Sequence, residues 1–269
     1  MHFVGLPATL GLVWLTALFG SIYPAIVIYV ELATSLSLTS AQATILCTLI
    51  LIAHVLPIEL KIVQKAGPKI LFSILWRVGG ALIFAKSLHL FLSVRHLLQD
   101  PSHIVWKARP VDLSWTGWLQ VQLNNLIKVG LIIFFLVITL SILEKIGVIS
   151  LIKKILAPAL SIIGLSEEAA PLTLIGLLLG LAYGGSLMIK EIQSGRIGPR
   201  DILLSLAFLS LCHSLIEDTL ILALIGGNIA IMVGARLVVS VGCVWALSRI
   251  ISGWNDAKIK RVFWTSFTR

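Results

Sequence analysis

Charged side chains are scarce in this sequence. Asp, Glu, Lys and Arg make up 12% of its 269 residues, whereas 58% are hydrophobic and the mean hydropathy is +1.03. Soluble domains average about 25% charged residues and about 45–50% apolar ones. Apolar segments run from one end of the chain to the other, which excludes a soluble domain behind a single signal peptide. The composition therefore predicts a polytopic all-α membrane protein.

Cysteine is also scarce, and several catalytic signatures are missing. The three cysteines (Cys47, Cys212 and Cys243) lie in apolar runs without CxxC spacing, so they offer neither a disulfide framework nor a thiolate metal site. The sequence contains no HExxH, GxSxG or GxxxxGK[ST] run, the patterns typical of zinc proteases, α/β-hydrolases and P-loop proteins. We therefore expect no enzymatic activity and no cofactor.

Seven apolar segments emerge from a window of about 19 residues. They cover residues 5–35, 41–65, 68–97, 122–145, 168–192, 201–225 and 227–251. Basic and apolar residues alternate at helical spacing in residues 146–163, as in an amphipathic helix on a membrane surface. The tail, residues 253–269, mixes aromatic and basic residues, as interfacial anchors do.

The chain repeats itself at an offset of 159 or 160 positions. "FGSIYPAIVIYVE" aligns with "LGLAYGGSLMIKE", and "AHVLPIE" aligns with "CHSLIED". Polar residues recur in register, with His54 opposite His213 and Arg77 opposite Arg236. Apolar matches arise easily by chance in such a sequence, but polar ones do not. This self-similarity indicates internal duplication.

We expect two homologous repeats, each made of a hairpin and two spans. Repeat 1 covers residues 1–97, with hairpin 5–35, and repeat 2 covers residues 164–252, with hairpin 168–192. The linker, residues 98–163, contains the central span and the amphipathic segment.

Basic residues decide between two topologies. If all seven segments span, the basic loop residues divide about 6 to 11 between the two faces, which fits the positive-inside rule poorly. If the first and fifth segments are re-entrant hairpins, the repeats are inverted. One face then collects fourteen basic residues: Lys61, Lys65, Lys69, Lys145, Lys153, Lys154, Lys190, Arg196, Arg200, Arg249, Lys258, Lys260, Arg261 and Arg269. The other keeps Arg95, Lys107 and Arg109.

The topology with re-entrant hairpins predicts an outside N-terminus and a cytoplasmic C-terminus in a bacterial inner membrane. It also explains the net charge of +9 without a nucleic-acid partner.

Each predicted hairpin has a helix-breaking centre, "GSIYPA" at 20–25 and "GLAYGGS" at 180–186. Glycine and proline loosen the helical backbone there. Inverted repeats with broken helices are typical of secondary transporters, whose sites form at the repeat interface. We expect gating or structural roles for Gly20, Pro24, Pro57, Gly180, Gly184, Gly185, Arg77 and Arg236.

The stretch "GLSEEAAPLTLIGLLLGLAYGGSLMIKE", with the hairpin–span–span plan, resembles the Gate or nucleoside recognition family. That family includes spore maturation membrane proteins and the gate regions of concentrative nucleoside transporters and ferrous-iron transporters. The resemblance implies that residues 20–25 and 180–186 form substrate-holding tips. It also implies that the broken helices lie at 54–59 and 213–218. The chain lacks the GTPase domain of the iron transporters and the scaffold helices of the nucleoside transporters.

A histidine–acid cluster occurs in both repeats and forms the candidate substrate or ion site. His54 and His213 lie mid-segment, where ionisable groups are costly and mark ion or substrate pathways. Glu59, Glu217 and Asp218 follow within about one helical turn.

Two structural alternatives stay open for these residues. The histidines can be packing residues hydrogen-bonded to carbonyl groups, and the acids can be ion-paired with Arg77 and Arg236. Pro57 is expected to break the second segment and free carbonyls for a cation. The hairpin tips add the hydroxyl groups of Ser21, Tyr23, Tyr183 and Ser186 as ligand contacts or local helix caps.

The sequence favours a secondary transporter or permease for a small polar solute, coupled to protons or another cation. A divalent-metal transporter using His54 and His213 is one alternative, and a non-catalytic membrane scaffold needing a partner is another. The expected partners are the lipid bilayer, a small-molecule or ion substrate, and a second copy or a related membrane subunit.

Overall fold

We analysed a computed structural model of the chain, which describes residues 1–33, 35–104, 114–193 and 195–264. Its described residues form helices, with no β-strand among them. The prediction of an all-helical protein is confirmed. After a short turn of 3₁₀ helix, the helices run in chain order as α1 (Leu10–Phe19), α2 (Ile22–Ala33), α3 (Ser40–Ile52), α4 (Leu56–Ala66), α5 (Ile70–Ile74), α6 (Gly80–Val94), α7 (Trp115–Lys145), α8 (Val148–Ile162), α9 (Ala169–Leu179), α10 (Leu181–Gln193), α11 (Pro199–Leu211), α12 (Glu217–Ala223), α13 (Ile229–Ile250) and α14 (Asp256–Phe263).

Three helical stretches among the described residues are long and apolar enough to cross a membrane. They cover Ser40–Ala66, Ile70–Val94 and Ile229–Ile250, with 27, 25 and 22 residues. At about 1.5 Å per residue, each exceeds the roughly 30 Å of a bilayer's hydrocarbon core. The chain is therefore a helical membrane protein, as its composition predicts.

Four apolar helices near the two predicted hairpins are short. Helices α1, α2, α9 and α10 have 10, 12, 11 and 13 residues, or about 15–20 Å each. Helix α1 packs against α2, and α9 packs against α10. Gly180 ends α9 at φ +95°, and its N–H donates to Gly176 O at 2.9 Å. Glycine suits this position because L-residues with a side chain are strained there.

Two of the seven apolar segments, residues 41–65 and 201–225, are broken in the middle. The first is interrupted between α3 and α4, where Val55 adopts φ +48°, and the second between α11 and α12, where Ser214 adopts φ +46°. The first break, at residues 53–55, directly precedes Pro57, which stands in the first turn of α4. In a continuous helix the N–H that proline lacks would donate to Ala53 O, whereas in a first turn no helical hydrogen bond is lost. The break thus lies beside Pro57, as the sequence predicts.

The breaks lie where two apolar cores meet. One core centres on α1, α2, α3 and α6, and the other on α8, α9, α11 and α13. Helices α3 and α11 are buried along most of their length and contact each other. Their broken ends therefore open into the interior of the protein, away from its surface.

Candidate functional site

The two histidines of the repeated cluster lie at the broken ends of α3 and α11. Their ring centroids are 5.0 Å apart, with the ring planes tilted by 35°. His54 Nδ1 lies 2.8 Å from Ile50 O, and His213 Nδ1 lies 2.8 Å from Leu209 O. A carbonyl oxygen only accepts hydrogen bonds, so each Nδ1 carries a proton. This fixes the tautomer and leaves Nε2 as the variable atom of each ring.

Each Nε2 faces a carboxylate from the opposite half of the chain. His54 Nε2 lies 3.4 Å from an Asp218 oxygen. His213 Nε2 lies 3.1 Å from a Glu59 oxygen. A bare imidazole nitrogen and a carboxylate are both acceptors, so the His54–Asp218 pair needs a proton or a metal cation between its members. At the Glu59–His213 pair, one Nη of Arg77 lies 3.5 Å from His213 Nε2 and the other is ion-paired with Glu59. The geometry thus provides two places for a positive charge, and Arg77 stands at one of them.

Arg77 closes the site from the first half. Its Nε donates to Ile52 O at 2.7 Å, and one Nη donates to His54 O at 3.0 Å. Its other Nη is ion-paired with Glu59. Arg77 therefore takes two of the carbonyl groups at this helix break, those of Ile52 and His54, where the sequence predicts free carbonyls for a cation.

Arg236, the counterpart of Arg77 in the second half of the chain, lies in different surroundings. It is 0% exposed, and its three guanidinium nitrogens have no hydrogen-bonded oxygen or nitrogen partner within the described part of the chain. The sulfur of Cys212 lies within its electrostatic range. Its charge acts on Asp218 from nearby, but no ion pair joins the two among the described residues. Of the two arginine–acid pairs considered from the sequence, the pair with Glu59 forms and the pair with Asp218 does not.

The cluster also has the composition of a metal site. One ligand atom each from His54, His213 and Asp218 lie within 4.8 Å of one another, and all three residues are buried. Two imidazole nitrogens and a carboxylate oxygen suit divalent cations of intermediate softness, such as Zn²⁺ or Fe²⁺.

Glu217 and Tyr23 lie beside this cluster. Glu217 is half-buried in the first turn of α12. Tyr23 is also half-buried, and its hydroxyl lies within electrostatic range of Glu217 and Asp218. A small cavity lined by Tyr23, Ile221 and apolar residues of α7 adjoins them. These two residues can reach a ligand bound next to the histidines.

The other predicted tip residues are spread over the two short helix pairs. Ser21 is half-buried at the junction of α1 and α2, and Pro24 is exposed in the first turn of α2. Ser186 is exposed on α10. The side chain of Tyr183 falls outside the described residues.

The predicted glycines mark close packing. Gly20 ends α1, with its N–H donating to Thr16 O at 2.9 Å. A methyl group on Gly180 would lie 2.7 Å from the Ser214 hydroxyl, at the second helix break. On α10, a methyl group on Gly184 would collide with the backbone of Gly176. Gly185 faces Ile62 of α4, which links α10 to the first half of the chain.

Two features of the site are absent from the sequence predictions. One is the crossing of partners, since each histidine meets the acid of the other half. The other is a π-helical segment, Leu75–Gly79, which joins α5 to α6 and contains Arg77. Such segments are frequent at functional sites. The histidine–acid spacing alone does not say which acid meets which histidine.

Comparison with known proteins agrees with the resemblance drawn from the motifs. Residues 126–244 match the family model described as Gate, nucleoside recognition. The chain is also 25% identical to the uncharacterized membrane protein YvoD of Bacillus subtilis (strain 168) over 229 residues, which cover 84% of this chain and 73% of that protein. No solved structure matches the chain. The predicted resemblance to the Gate, or nucleoside recognition, family is therefore confirmed, with the family match covering residues 126–244.

Proposed function

We propose that the protein is a secondary transporter for a small polar solute, coupled to a proton or another cation. One observation carries this proposal: two buried histidines each turn Nε2 toward a carboxylate of the opposite half. The His54–Asp218 pair is complete only with a proton or another cation, whereas Arg77 already lies at the Glu59–His213 pair. Buried ionisable groups are costly inside a membrane, and they mark ion and substrate pathways.

The proposed architecture is a pair of inverted repeats with re-entrant hairpins. Helices α1, α2, α9 and α10 are each too short to cross a bilayer alone. The helix breaks correspond at an offset of 159 residues, with similar backbone angles at Val55 and Ser214. His54 and His213 bond to carbonyls that lie four residues earlier in both cases. These likenesses support duplicated halves that share one site.

The distribution of basic residues supports the orientation within this proposal. The N-terminus lies outside and the C-terminus lies in the cytoplasm of the cell membrane, on the face that carries most loop lysines and arginines. The short helix pairs then enter from opposite faces and meet near the midplane. Exposed backbone at their tips is tolerated because it is buried in protein or lines a wet cavity.

In the proposed cycle, a cation at the histidine–carboxylate pairs and a solute beside them stabilise the same conformation. The buried carboxylate of Asp218 is costly while it faces the bare Nε2 of His54. A proton or cation removes that cost, and its loss on the other side of the membrane restores it. Tyr23 and Glu217 provide polar contacts for the solute next to the pairs.

A divalent-metal transporter is the second candidate. The approach of one ligand atom each from His54, His213 and Asp218 within 4.8 Å favours it. In this case the metal ion is the substrate, and Glu59, which lies 3.1 Å from His213 Nε2 and is ion-paired with Arg77, stands next to the metal ligands.

A thermal-unfolding screen of the detergent-purified protein tests the proposal. Nucleosides, carboxylates, amines and divalent cations are added at two pH values to the wild type and to a His54→Ala/His213→Ala variant. A ligand that binds only the folded protein raises the unfolding midpoint by mass action. The matched control is His2→Ala/His103→Ala, which removes two exposed histidines.

The proposal predicts a ligand whose midpoint shift is present in the wild type and the control but lost in the His54→Ala/His213→Ala variant. A shift with a divalent cation alone favours the metal transporter. If no ligand class shifts the wild type, and the His54→Ala/His213→Ala variant is as stable as the wild type, the transporter proposal is wrong. The scaffold role would then stand.

A further inference from the structure

The two arginines of the repeated cluster stand in equivalent places but have different partners. Arg77 binds two carbonyl oxygens at the break after α3, and it binds the carboxylate of Glu59. We call this set the first clamp. The equivalent atoms at an offset of 159 residues are the carbonyl oxygens of Leu211 and His213 and the carboxylate of Asp218. We call Arg236 with these three groups the second clamp.

The second clamp is open although its parts are present. Arg236 donates to none of these groups, and it is fully buried beside the sulfur of Cys212. A buried guanidinium without a carboxylate or carbonyl partner is strongly unfavourable, because it has given up water for a weak acceptor. The backbone at the breaks does not explain the difference, since both breaks have a positive φ angle, at Val55 and at Ser214. The open clamp therefore depends on the side chains and on the helices that carry the arginines.

The helices that carry the arginines also differ. Arg77 lies in the π-helical segment, whereas Arg236 lies in the regular α-helix α13. A π-helical turn rotates and shifts the side chains that follow it. A cavity of about 200 Å³ separates the two helices, and Gly79, Gly80 and Ser240 are part of its wall. The two arginine-bearing helices thus have room to move relative to each other.

We propose that the two clamps close alternately, so that Arg77 and Arg236 define two conformations of the protein. In the conformation described here the first clamp is closed. In the other, Arg236 binds Asp218 and the carbonyls of Leu211 and His213, while Arg77 releases Glu59. Each carboxylate keeps its histidine from the opposite half throughout. This inference deepens the proposed function and rests on it, because alternate closure of two repeats exchanges access between the two faces.

Charge couples the two clamps. One Nη of Arg77 lies 3.5 Å from His213 Nε2, so the first clamp reaches the histidine of the second half. Asp218 lies within electrostatic range of both arginines. Closing either clamp therefore changes the charge that the histidine and the carboxylate of the other clamp face, in a site of low dielectric constant where such interactions are strong.

Distances between spin labels on the two arginine-bearing helices test this exchange. Ile83→Cys on α6 and Val238→Cys on α13 place labels at exposed positions, in a background where the exposed Cys243 is replaced by alanine and the buried Cys47 and Cys212 are kept. Pulsed electron paramagnetic resonance in lipid nanodiscs then gives the distance distribution. The variants Arg77→Gln and Arg236→Gln each remove one clamp. Arg95→Gln and Arg249→Gln are matched controls, because each removes an exposed arginine near the end of the same helix.

We expect Arg77→Gln to raise the population of a second distance several-fold, and Arg236→Gln to leave only the distance of the first-clamp conformation. Adding Asp218→Asn to Arg77→Gln should reduce the second distance again, because the second clamp loses its carboxylate. Equal distributions in Arg77→Gln and Arg236→Gln would overturn the proposal. So would a second distance that survives Asp218→Asn.

A further variant covers the case in which Arg236→Gln does not fold. Arg236→Lys keeps the charge but cannot form the three-way contact. Arg236→Lys should shift the distance distribution in the same direction as Arg236→Gln. The double variant Arg77→Gln/Arg236→Lys should therefore differ from Arg77→Gln. If these two distributions are equal, the proposal is wrong. The distances need no substrate. If no ligand binds but the two distances still exchange, the transporter proposal is rejected. If a ligand binds but the distances do not exchange, the proposal of alternating clamps is rejected.

Discussion

His54 and His213 lie with their ring centroids 5.0 Å apart, and each turns Nε2 toward an acid of the other half. Neither half holds a complete histidine–carboxylate pair by itself. Through these crossed pairs, the broken end of α3 meets the first turn of α12, and the broken end of α11 meets the first turn of α4. A change of charge at one pair is therefore felt directly by both halves.

Separate substitutions of Glu59 and Asp218 show how much each acid contributes to the free energy of unfolding. Glu59→Gln breaks an ion pair with buried Arg77, and loss of one partner of a buried pair costs about 3–5 kcal/mol. Asp218→Asn breaks no arginine ion pair in this conformation, so it should lower the free energy of unfolding by less. The unfolding midpoint of each variant, measured in the same detergent, gives the comparison.

The matched control for these acids is Asp256→Asn, an exposed acid in the first turn of α14. It should change the midpoint little, since surface charges contribute little to stability. A larger loss in Asp218→Asn than in Glu59→Gln would contradict the arrangement of ion pairs described above.

Close packing of α9 against α10 makes Gly184 sensitive to size. The methyl group of Gly184→Ala would collide with the backbone of Gly176, and such overpacking typically costs about 1–3 kcal/mol. Gly234→Ala on α13 is the control, because open space surrounds that position. Thermal unfolding should show a lower midpoint for Gly184→Ala only. Equal midpoints for the two variants would mean that the helices are not this close.

The helical membrane nature of the protein could be predicted from sequence because it depends on composition and segment length. Both are properties of the chain that tertiary packing does not alter. The resemblance to the Gate family could also be predicted, from small-residue patterns around Gly180 and Gly184. The family match to residues 126–244 supports it.

The partners of the buried charges could not be predicted, because they depend on which side chains the tertiary fold brings together. Spacing placed Glu59 near His54, but the fold places it against His213. The same limit applies to Arg236, whose lack of a carboxylate partner could not be read from the sequence. Pro57 is the opposite case, because local chemistry alone places a helix break directly before it, and the proline fits the first turn of α4.

Solid-state NMR of the protein in lipid bilayers, with ¹⁵N-labelled histidine, measures the protonation of each ring nitrogen directly. Spectra of His54→Ala and His213→Ala assign the two buried rings among the six histidines. The account predicts that Nδ1 of both rings stays protonated, whereas Nε2 reversibly gains a proton in acid or binds a divalent cation when one is added. Nε2 signals that respond neither to pH nor to divalent cations would contradict it, and would make the two histidines packing residues.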